Sequence, residues 1–226
     1  MSDLLSAAEL AAAEEQQRRL ARQVVAHDRL PPVVRTVAGV DVAYDQHSDQ
    51  LVAAAVLLDA ATLQVQCSAV VQLRAAFPYI PGLFSFRELP PVLAALAQLP
   101  QVPDLILCDG QGLAHPRGFG LACHLGLETG IATIGCAKTH LVGEHDSLAP
   151  SRGSAADLHY QGQVVGRALR SQTDKNPVFV SVGHQVSLDT ACHWVLHCAP
   201  TYRLPETTRA ADQLVKLHLK RLLNKE

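Results

Sequence analysis

One α/β domain built on a mixed sheet is the fold this sequence predicts, and three observations predict it. Three apolar, β-branched runs follow one another with only short polar or turn-like links, the pattern of an antiparallel meander. Helix-like and strand-like segments then alternate, the pattern of strands paired in parallel across helical connections. The composition supports a substantial core: 226 residues, 48% of them hydrophobic and 18% charged, a length that suits one large domain or two small ones.

The elements follow in order. MSDLLSAAELAAAEEQQRRLARQVV is Ala-rich but studded with Glu, Gln and Arg. It lacks the uninterrupted apolar core of a secretory signal and reads as an amphipathic helix, about residues 2–27, packed on the domain. RTVAGVDVAYD, LVAAAVLLDA and LQVQCSAVVQL are the three consecutive strands. After a proline-framed loop, ELPPVLAALAQL starts a helix with its prolines near the first turn. PDLILCDG is a short buried strand ending in Asp-Gly, GFGLACHLGLETG is helical and closes on glycine, and IATIGCA is a strand again. Residues 143–163 are polar and read as a surface excursion rather than a domain linker. NPVFVSVGH is a strand, SLDTACHWVLHC a helix begun by a Ser or Asp cap, and TTRAADQLVKLHLKRLL a final amphipathic helix. Antiparallel strands first and parallel strands afterwards is the order of a ribonuclease H-like sheet, flanked by helices.

Several function classes drop out. No apolar run approaches the length of a membrane span, so no membrane partner is expected and a cytoplasmic protein is the default. The six cysteines form no CxxC pair and read as reduced structural thiols. There is no G-x-S-x-G, Walker A or dinucleotide fingerprint. Net charge is −2, without a global polyanion signal. Its distribution is uneven: residues 1–50 carry 5 basic and 8 acidic groups, residues 51–150 carry 4 and 7, and residues 151–226 carry 10 and 6. A nucleic-acid patch, if present, belongs to the C-terminal third; a solvated basic tail explains the same numbers. No obligate protein partner is evident.

Four carboxylates stand out. Asp41 lies inside a strand, where an isolated charge costs several kcal/mol unless it is paired or ligates a metal; a strand edge facing water is the alternative. Asp109 ends PDLILCDG, at the carboxyl tip of a strand expected to be parallel, the end at which open α/β sheets place their chemistry; a turn Asp is the alternative. Glu88 follows the proline loop, and SFRE also fits a capping box with Ser85 as N-cap. Asp212 shares a helical stripe with Val215, Leu219 and Leu222 and so points towards the body of the protein, although a helix-start Asp favoured by the macrodipole explains it too. Four such groups can converge at one end of a mixed sheet, and oxygen ligands of this kind suit Mg²⁺ or Mn²⁺. A site of that type cleaves phosphodiesters by activating water and stabilising the leaving oxygen. The rival metal pair, His193 and His197, shares one helix face beside Cys192 and Cys198 but lacks an H-E-x-x-H glutamate and further ligands.

Two further stretches accompany the acids. DGQGLAHPRGFG holds four glycines, among them Gly110 and Gly112, together with His115 and Arg117; glycines let backbone N–H groups approach a ligand closely. Lys138, just past a strand tip, can reach a phosphate or stand as an ordinary surface lysine. FPYIPGLFSFRE sets Tyr79 and Ile80 between Pro78 and Pro81, on a stiff non-helical loop.

These motifs make the chain resemble the endonuclease V family. VAGVDVAYD, PYIPGLFSFRE, DGQGLAHPRGFG, TIGCAKTHLVG, NPVFVSVGHQVSLDTA and YRLPETTRAAD occur in the family's order and cover most of residues 35–215. Two departures are visible: DGQG, with Gln111, where the family often has DGHG, and RLPETT where it often has RLPEPT. The resemblance implies a ribonuclease H-like fold and Mg²⁺-dependent cleavage, supported by Mn²⁺ as well. It implies nicking of DNA at the second phosphodiester bond 3′ to deoxyinosine, leaving 3′-hydroxyl and 5′-phosphate ends in DNA repair. Asp41 and Asp109 would be the principal metal ligands, Glu88 would complete the set, and Asp212 would be its fourth acid. His115 and Lys138 would support the substrate phosphates or the attacking water. Pro78, Tyr79, Ile80 and Pro81 would be a wedge filling the stack vacated by an extruded base. Backbone at Gly82, Leu83, Gly110 and Gly112 would line the pocket for that base. Inosine in RNA as the substrate, or a non-catalytic inosine-site binder, are the alternatives.

Overall fold

A computed structural model describes residues 5–45 and 47–224. Its elements are α1 (Ala7–Ala21), β1 (Thr36–Tyr44), β2 (Gln50–Asp59), β3 (Val65–Arg74), α2 (Phe84–Leu96), β4 (Leu105–Cys108), α3 (Leu121–Thr129), β5 (Ala132–Ala137), β6 (Ala155–Tyr160), β7 (Gln163–Leu169), β8 (Val178–His184), α4 (Leu188–Cys198) and α5 (Glu206–Leu223). The strands form one eight-stranded sheet in the order β3-β2-β1-β4-β5-β8-β7-β6. The expected meander is present, with β1, β2 and β3 antiparallel in sequence. Parallel pairing joins β1 to β4 and β4 to β5. Beyond β5 the sheet departs from the expected order, because β8, β7 and β6 pair antiparallel. The mixed α/β architecture is that of a ribonuclease H-like sheet.

Alternation along the strands divides the core into two layers. Val37, Leu105, Leu107 and Ile134 face α4 and α5, packing with Ala191, Val195 and Ala211. Ala38, Val40, Ile106 and Cys108 face α2 and α3, packing with Leu89, Val92, Ala122 and Leu125. On the α5 side contact is close enough to demand glycine: a Cβ at Gly39 would lie 2.0 Å from the Thr207 carbonyl oxygen. The six cysteines are all free. Among the described residues no helix is long and apolar enough to cross a membrane.

Three local expectations need correction. The N-terminal helix is shorter than residues 2–27; it spans Ala7–Ala21, its N-cap Ser6 forms a reciprocal capping box with Glu9, and residues 2–4 lie outside the described residues. Residues 155–160 within the supposed surface excursion are β6, paired with the unpredicted β7. β6 occupies the sheet edge and buries Leu158 fully, so its hydrophobic signal is weak. Finally, Ser85 is not an N-cap: α2 begins at Phe84 after Leu83, with no side-chain cap. Ser85 is buried and its Oγ shares a 3.2 Å hydrogen bond with His124 Nδ1.

His124 joins α3 to the first turn of α2, with the rings of Phe86 and Phe119 at centroid distances of 5.2 and 5.1 Å. Burial lowers its pKa from 6.5 to about 4. The folded protein therefore holds His124 neutral where the unfolded chain protonates it, so its stabilising contribution falls as pH drops from 6.5 towards 4. The stability advantage of the wild type over His124→Asn should shrink by at most about 1.4 kcal/mol per pH unit across that window. Urea unfolding midpoints at pH 7 and pH 5 measure this, and a gap that stays constant would contradict a buried neutral imidazole.

Candidate active site

The pairing of β1 with β4 builds the centre of the site. Val40 lies opposite Cys108 in parallel register, and both chains continue in the same direction to Asp41 and Asp109. β4 ends at Cys108 while β1 runs on to Tyr44, so Asp41 is the first β1 residue beyond the cover of its neighbour. β5 pairs in parallel on the other side of β4 and ends at Ala137, which delivers Lys138 to the same edge of the sheet. Alternation from Gly39 places Asp41 on the α5 face. Asp212, on α5, approaches from that side, and Glu88, on α2, from the opposite one.

Electrostatics confirm that these groups feel one another. Burial raises the Asp41 pKa to about 7, with the charges of Asp109 and Asp212 adding to the rise. Burial raises Glu88 to about 8; the charges of Asp41 and Asp109 add to that, and the hydrogen bond from Tyr44 opposes it. Tyr44 Oη donates to Glu88 Oε1 at 2.9 Å, and the Arg87 guanidinium lies 4.9 Å from the Tyr44 ring centroid. Lys138 is the ammonium at the centre: its Nζ pairs with Asp109 and stands 3.9 Å from Asp212 Oδ1. Burial works against the lysine charge, but the bond and charge of Asp109, with Asp212 and Asp41 behind it, raise its pKa. Lys216 takes the other Asp212 oxygen at 2.8 Å.

All four acids offer only oxygen donors, and two of them, Asp41 and Glu88, are held towards neutrality by burial first and by the neighbouring negative charges after it. Such a donor set fits a hard divalent cation such as Mg²⁺ or Mn²⁺. The expected set of Asp41, Asp109 and Glu88 is nevertheless not drawn together as ligands: among the described residues no three His, Cys, Asp or Glu side chains are arranged to hold a metal ion. Lys138 pairs with Asp109 and Tyr44 engages Glu88. The His193–His197 pair forms no centre either; His197 Nε2 bonds the Ala60 carbonyl at 2.6 Å.

Beside the acids opens a cavity of about 460 Å³. Glu88, Asp109, Lys138 and His115 contribute to its wall, as do Tyr79, Pro81, Gly82 and Gly110 from the two predicted loops. Tyr79 is 68% exposed and meets the Phe84 ring edge-on at 5.6 Å. Pro78 and Ile80 are half-buried and outside the wall, so the exposed part of the loop is Tyr79 with Pro81. The loop is braced at its base: Arg87 Nη1 donates to the Phe77 carbonyl at 2.6 Å, and the Leu83 N–H donates to Ile80 O at 3.0 Å.

Two predicted pocket residues sit elsewhere. Leu83 is buried, with its N–H already engaged. Gly112 packs against β8: its N–H donates to Ser181 Oγ, and a Cβ there would lie 2.0 Å from the Val182 carbonyl oxygen. Phe84 and Ser85, in the first turn of α2, which has no side-chain cap, stand at the wall instead. His115 is buried, and burial, followed by the Arg117 charge, lowers its pKa to about 4 against the pull of the Gly82 carbonyl. It is a neutral imidazole braced between loops. Tyr44 escaped the sequence reading, although alternation from Val42 puts it on the α2 face. Arg117 was noted only as part of its motif. Gln17 escaped as well, since nothing separates one glutamine of a polar helix from its neighbours.

Comparison with known proteins bears on this geometry. The family model described as endonuclease V matches residues 18–213. An endonuclease V of Streptomyces avermitilis is 56% identical over 190 residues, covering 84% of this chain and 83% of that protein. The crystal structure of the catalytic domain of human endonuclease V is 31% identical, with a TM-score of 0.91 and coverage of 97% of this chain and 99% of that one. The Ciona intestinalis endonuclease V, in complex with a 24mer DNA containing an inosine followed by a ribo-adenosine, is 26% identical with a TM-score of 0.83; 95% of this chain and 99% of that one are covered.

Crowding of like charges predicts a stability effect. In chelator at pH 8, Asp41→Asn should raise the unfolding midpoint by about 2–4 °C, the shift expected for about 1 kcal/mol in a chain of this size. Differential scanning calorimetry measures it; a lowered midpoint would mean that Asp41 is satisfied as an anion without further help.

Proposed function

The chain belongs to the endonuclease V family, and we propose that it nicks DNA at the second phosphodiester bond 3′ to deoxyinosine, using the acids at the carboxyl edge of β1 and β4. The observation that carries this reading is the juxtaposition of Asp41 and Asp109 beside a cavity rimmed by Tyr79. Deaminated adenine pairs weakly, so its extrusion costs less than the few kcal/mol needed for a normal base. The exposed Tyr79 ring, stiffened by the flanking prolines and the contact with Phe84, fills the vacated stack. Because the loop is already ordered, little entropy is lost when it inserts.

The extruded base enters the cavity. Hypoxanthine presents an acceptor oxygen where adenine carries an amine, and the N–H groups of the first turn of α2 favour the acceptor while opposing the amine. Glu88, Asp109 and Lys138 line the same cavity, so base and backbone are held in one site. Asp41, Asp109 and Glu88 would hold Mg²⁺, or Mn²⁺ in its place. When bound, the cation supplies Lewis acidity for attack of water at phosphorus, which leaves 3′-hydroxyl and 5′-phosphate ends. Lys138 neutralises part of the acidic cluster and lets a phosphate approach it. Tyr44 holds Glu88 in place through its hydroxyl.

An oligonucleotide with a single deoxyinosine tests the reading. Nicking should require Mg²⁺ or Mn²⁺. Asp109→Ala should keep its affinity for that strand while nicking falls by about 100-fold or more, the scale of removing a charged group from a reacting centre. Nicking by this variant at the wild-type rate would remove the acidic cluster from the chemistry, and binding without any product from the wild type would favour a non-catalytic inosine binder.

A second substrate reading, inosine in RNA, is favoured by one finding: the DNA in the Ciona complex carries a ribo-adenosine after its inosine. Parallel cleavage of matched strands with deoxyribose or ribose at and after the inosine separates the two. Rates for the all-DNA strand equal to or above those for the RNA strand are expected of a repair enzyme; a rate at least about tenfold higher on RNA would assign the 2′-hydroxyl a specific contact.

A further inference from the structure

We infer that Gln17, on the N-terminal helix, is a positioning residue for base recognition: it clamps together the two loops that wall the cavity. The inference rests on the function proposed above and deepens it. Gln17 is fully buried. Its Nε2 donates to the Gly82 carbonyl at 3.0 Å and faces the Phe119 carbonyl at 3.4 Å. Gly82 belongs to the loop that carries Tyr79, and Phe119 precedes Gly120 in the glycine-rich loop; Gly82 and Gly120 both line the cavity. One carboxamide thus spans the gap between opposite walls. Its Oε1 accepts from Arg117 Nε at 2.5 Å, while Arg117 Nη2 donates to the same Gly82 carbonyl at 2.5 Å and Nη1 reaches Glu14 at 3.2 Å.

Both donors converge on the Gly82 oxygen, which also pulls on the His115 ring. They fix the peptide plane between Gly82 and Leu83 and, through it, the Leu83 N–H bond to Ile80 and the start of α2. The Arg117 guanidinium lies so close that a Cβ at Gly82, whose φ is +79°, would stand 2.6 Å from Nη2.

The packing of α1 points the same way. Over 15 residues the helix buries only Ala13 and Gln17, and of the two Gln17 alone fully. A helix docked for core stability buries an apolar stripe, whereas α1 delivers Gln17 and Glu14 to the Arg117–Gly82 junction. Gln17 also lies one residue before the stretch matched by the family model.

Two substitutions dissect the clamp. Gln17→Met removes both hydrogen-bonding atoms, whereas Gln17→Glu keeps an acceptor for Arg117 and loses the donor to Gly82 and Phe119. Steady-state nicking of a deoxyinosine strand and its adenine-containing twin, binding to both in chelator, and amide hydrogen exchange over residues 79–86 in the free protein are the readouts. In both variants KM for the inosine strand should rise about tenfold, the scale of a lost buried hydrogen bond, with kcat within about twofold of wild type. Affinity for the adenine twin should not change, and exchange over residues 79–86 should quicken. If Gln17→Met does not fold, Gln17→Glu carries the test alone. The inference is overturned if KM and exchange match wild type, or if affinity falls equally for both strands, which is what a merely structural role produces. Failure of the wild type to nick inosine would instead overturn the proposed function, and the exchange measurement would still decide whether the clamp exists.

Discussion

Two carboxylates forced side by side by parallel strand pairing are the constraint around which this molecule is arranged. Asp41 follows Val40 and Asp109 follows Cys108, the last pair of the β1–β4 register, so the two carboxylates leave the same edge of the sheet. Burial, and after it the charge of Asp109, raises the Asp41 pKa, and the surrounding structure supplies partners to the neighbouring acids. Lys138 pairs with Asp109, Tyr44 donates to Glu88, and Lys216 takes an oxygen of Asp212. The balance still leaves Asp41 and Glu88 with pKa values pushed to about 7 and about 8. Acids crowded and buried in this way suit a hard cation, and strongly shifted carboxylates of this kind commonly mark reactive centres.

The acids would be of little use without the second constraint, a rigid approach to the base. On the proposed function, recognition of one altered base within a stack requires a probe that does not yield, and the Tyr79 loop is braced by local and distant parts of the chain. The prolines stiffen the loop, Phe84 supports the tyrosine ring, Arg87 anchors Phe77, and Gln17 with Arg117 anchors Gly82. Cavity and acids share Glu88, Asp109 and Lys138, so on the proposed function reading and cutting would share one continuous site.

Legibility from the sequence followed the range of the interactions. The first three strands were readable because their β-branched alternation is a local property, and Ser187 as the cap of α4 was readable for the same reason. β6 and β7 were not, because this hairpin leaves most of its side chains exposed or half-buried and its apolar signal is weak. Ser85 was misread through a local rule that a distant partner overrode: His124 takes its hydroxyl, and the helix starts one residue earlier with no cap. Leu83 and Gly112 belonged to the right loops, but backbone and side-chain acceptors elsewhere had already claimed their N–H groups.

By itself the sequence determined the kinds of group available and their local settings: acids in or beside apolar strands, a tyrosine held between prolines, glycines after an aspartate, and motifs specific enough to indicate a family. Only the tertiary structure decided which acid stands beside which, that Lys138 rests between Asp109 and Asp212, and that a glutamine of the first helix closes the wall of the cavity. The physical reason is that propensity and periodicity act over a few residues, whereas strand order, register and buried polar contacts join positions far apart in the chain. Gln17 and Gly82, separated by 65 residues, meet only because the whole sheet has formed between them.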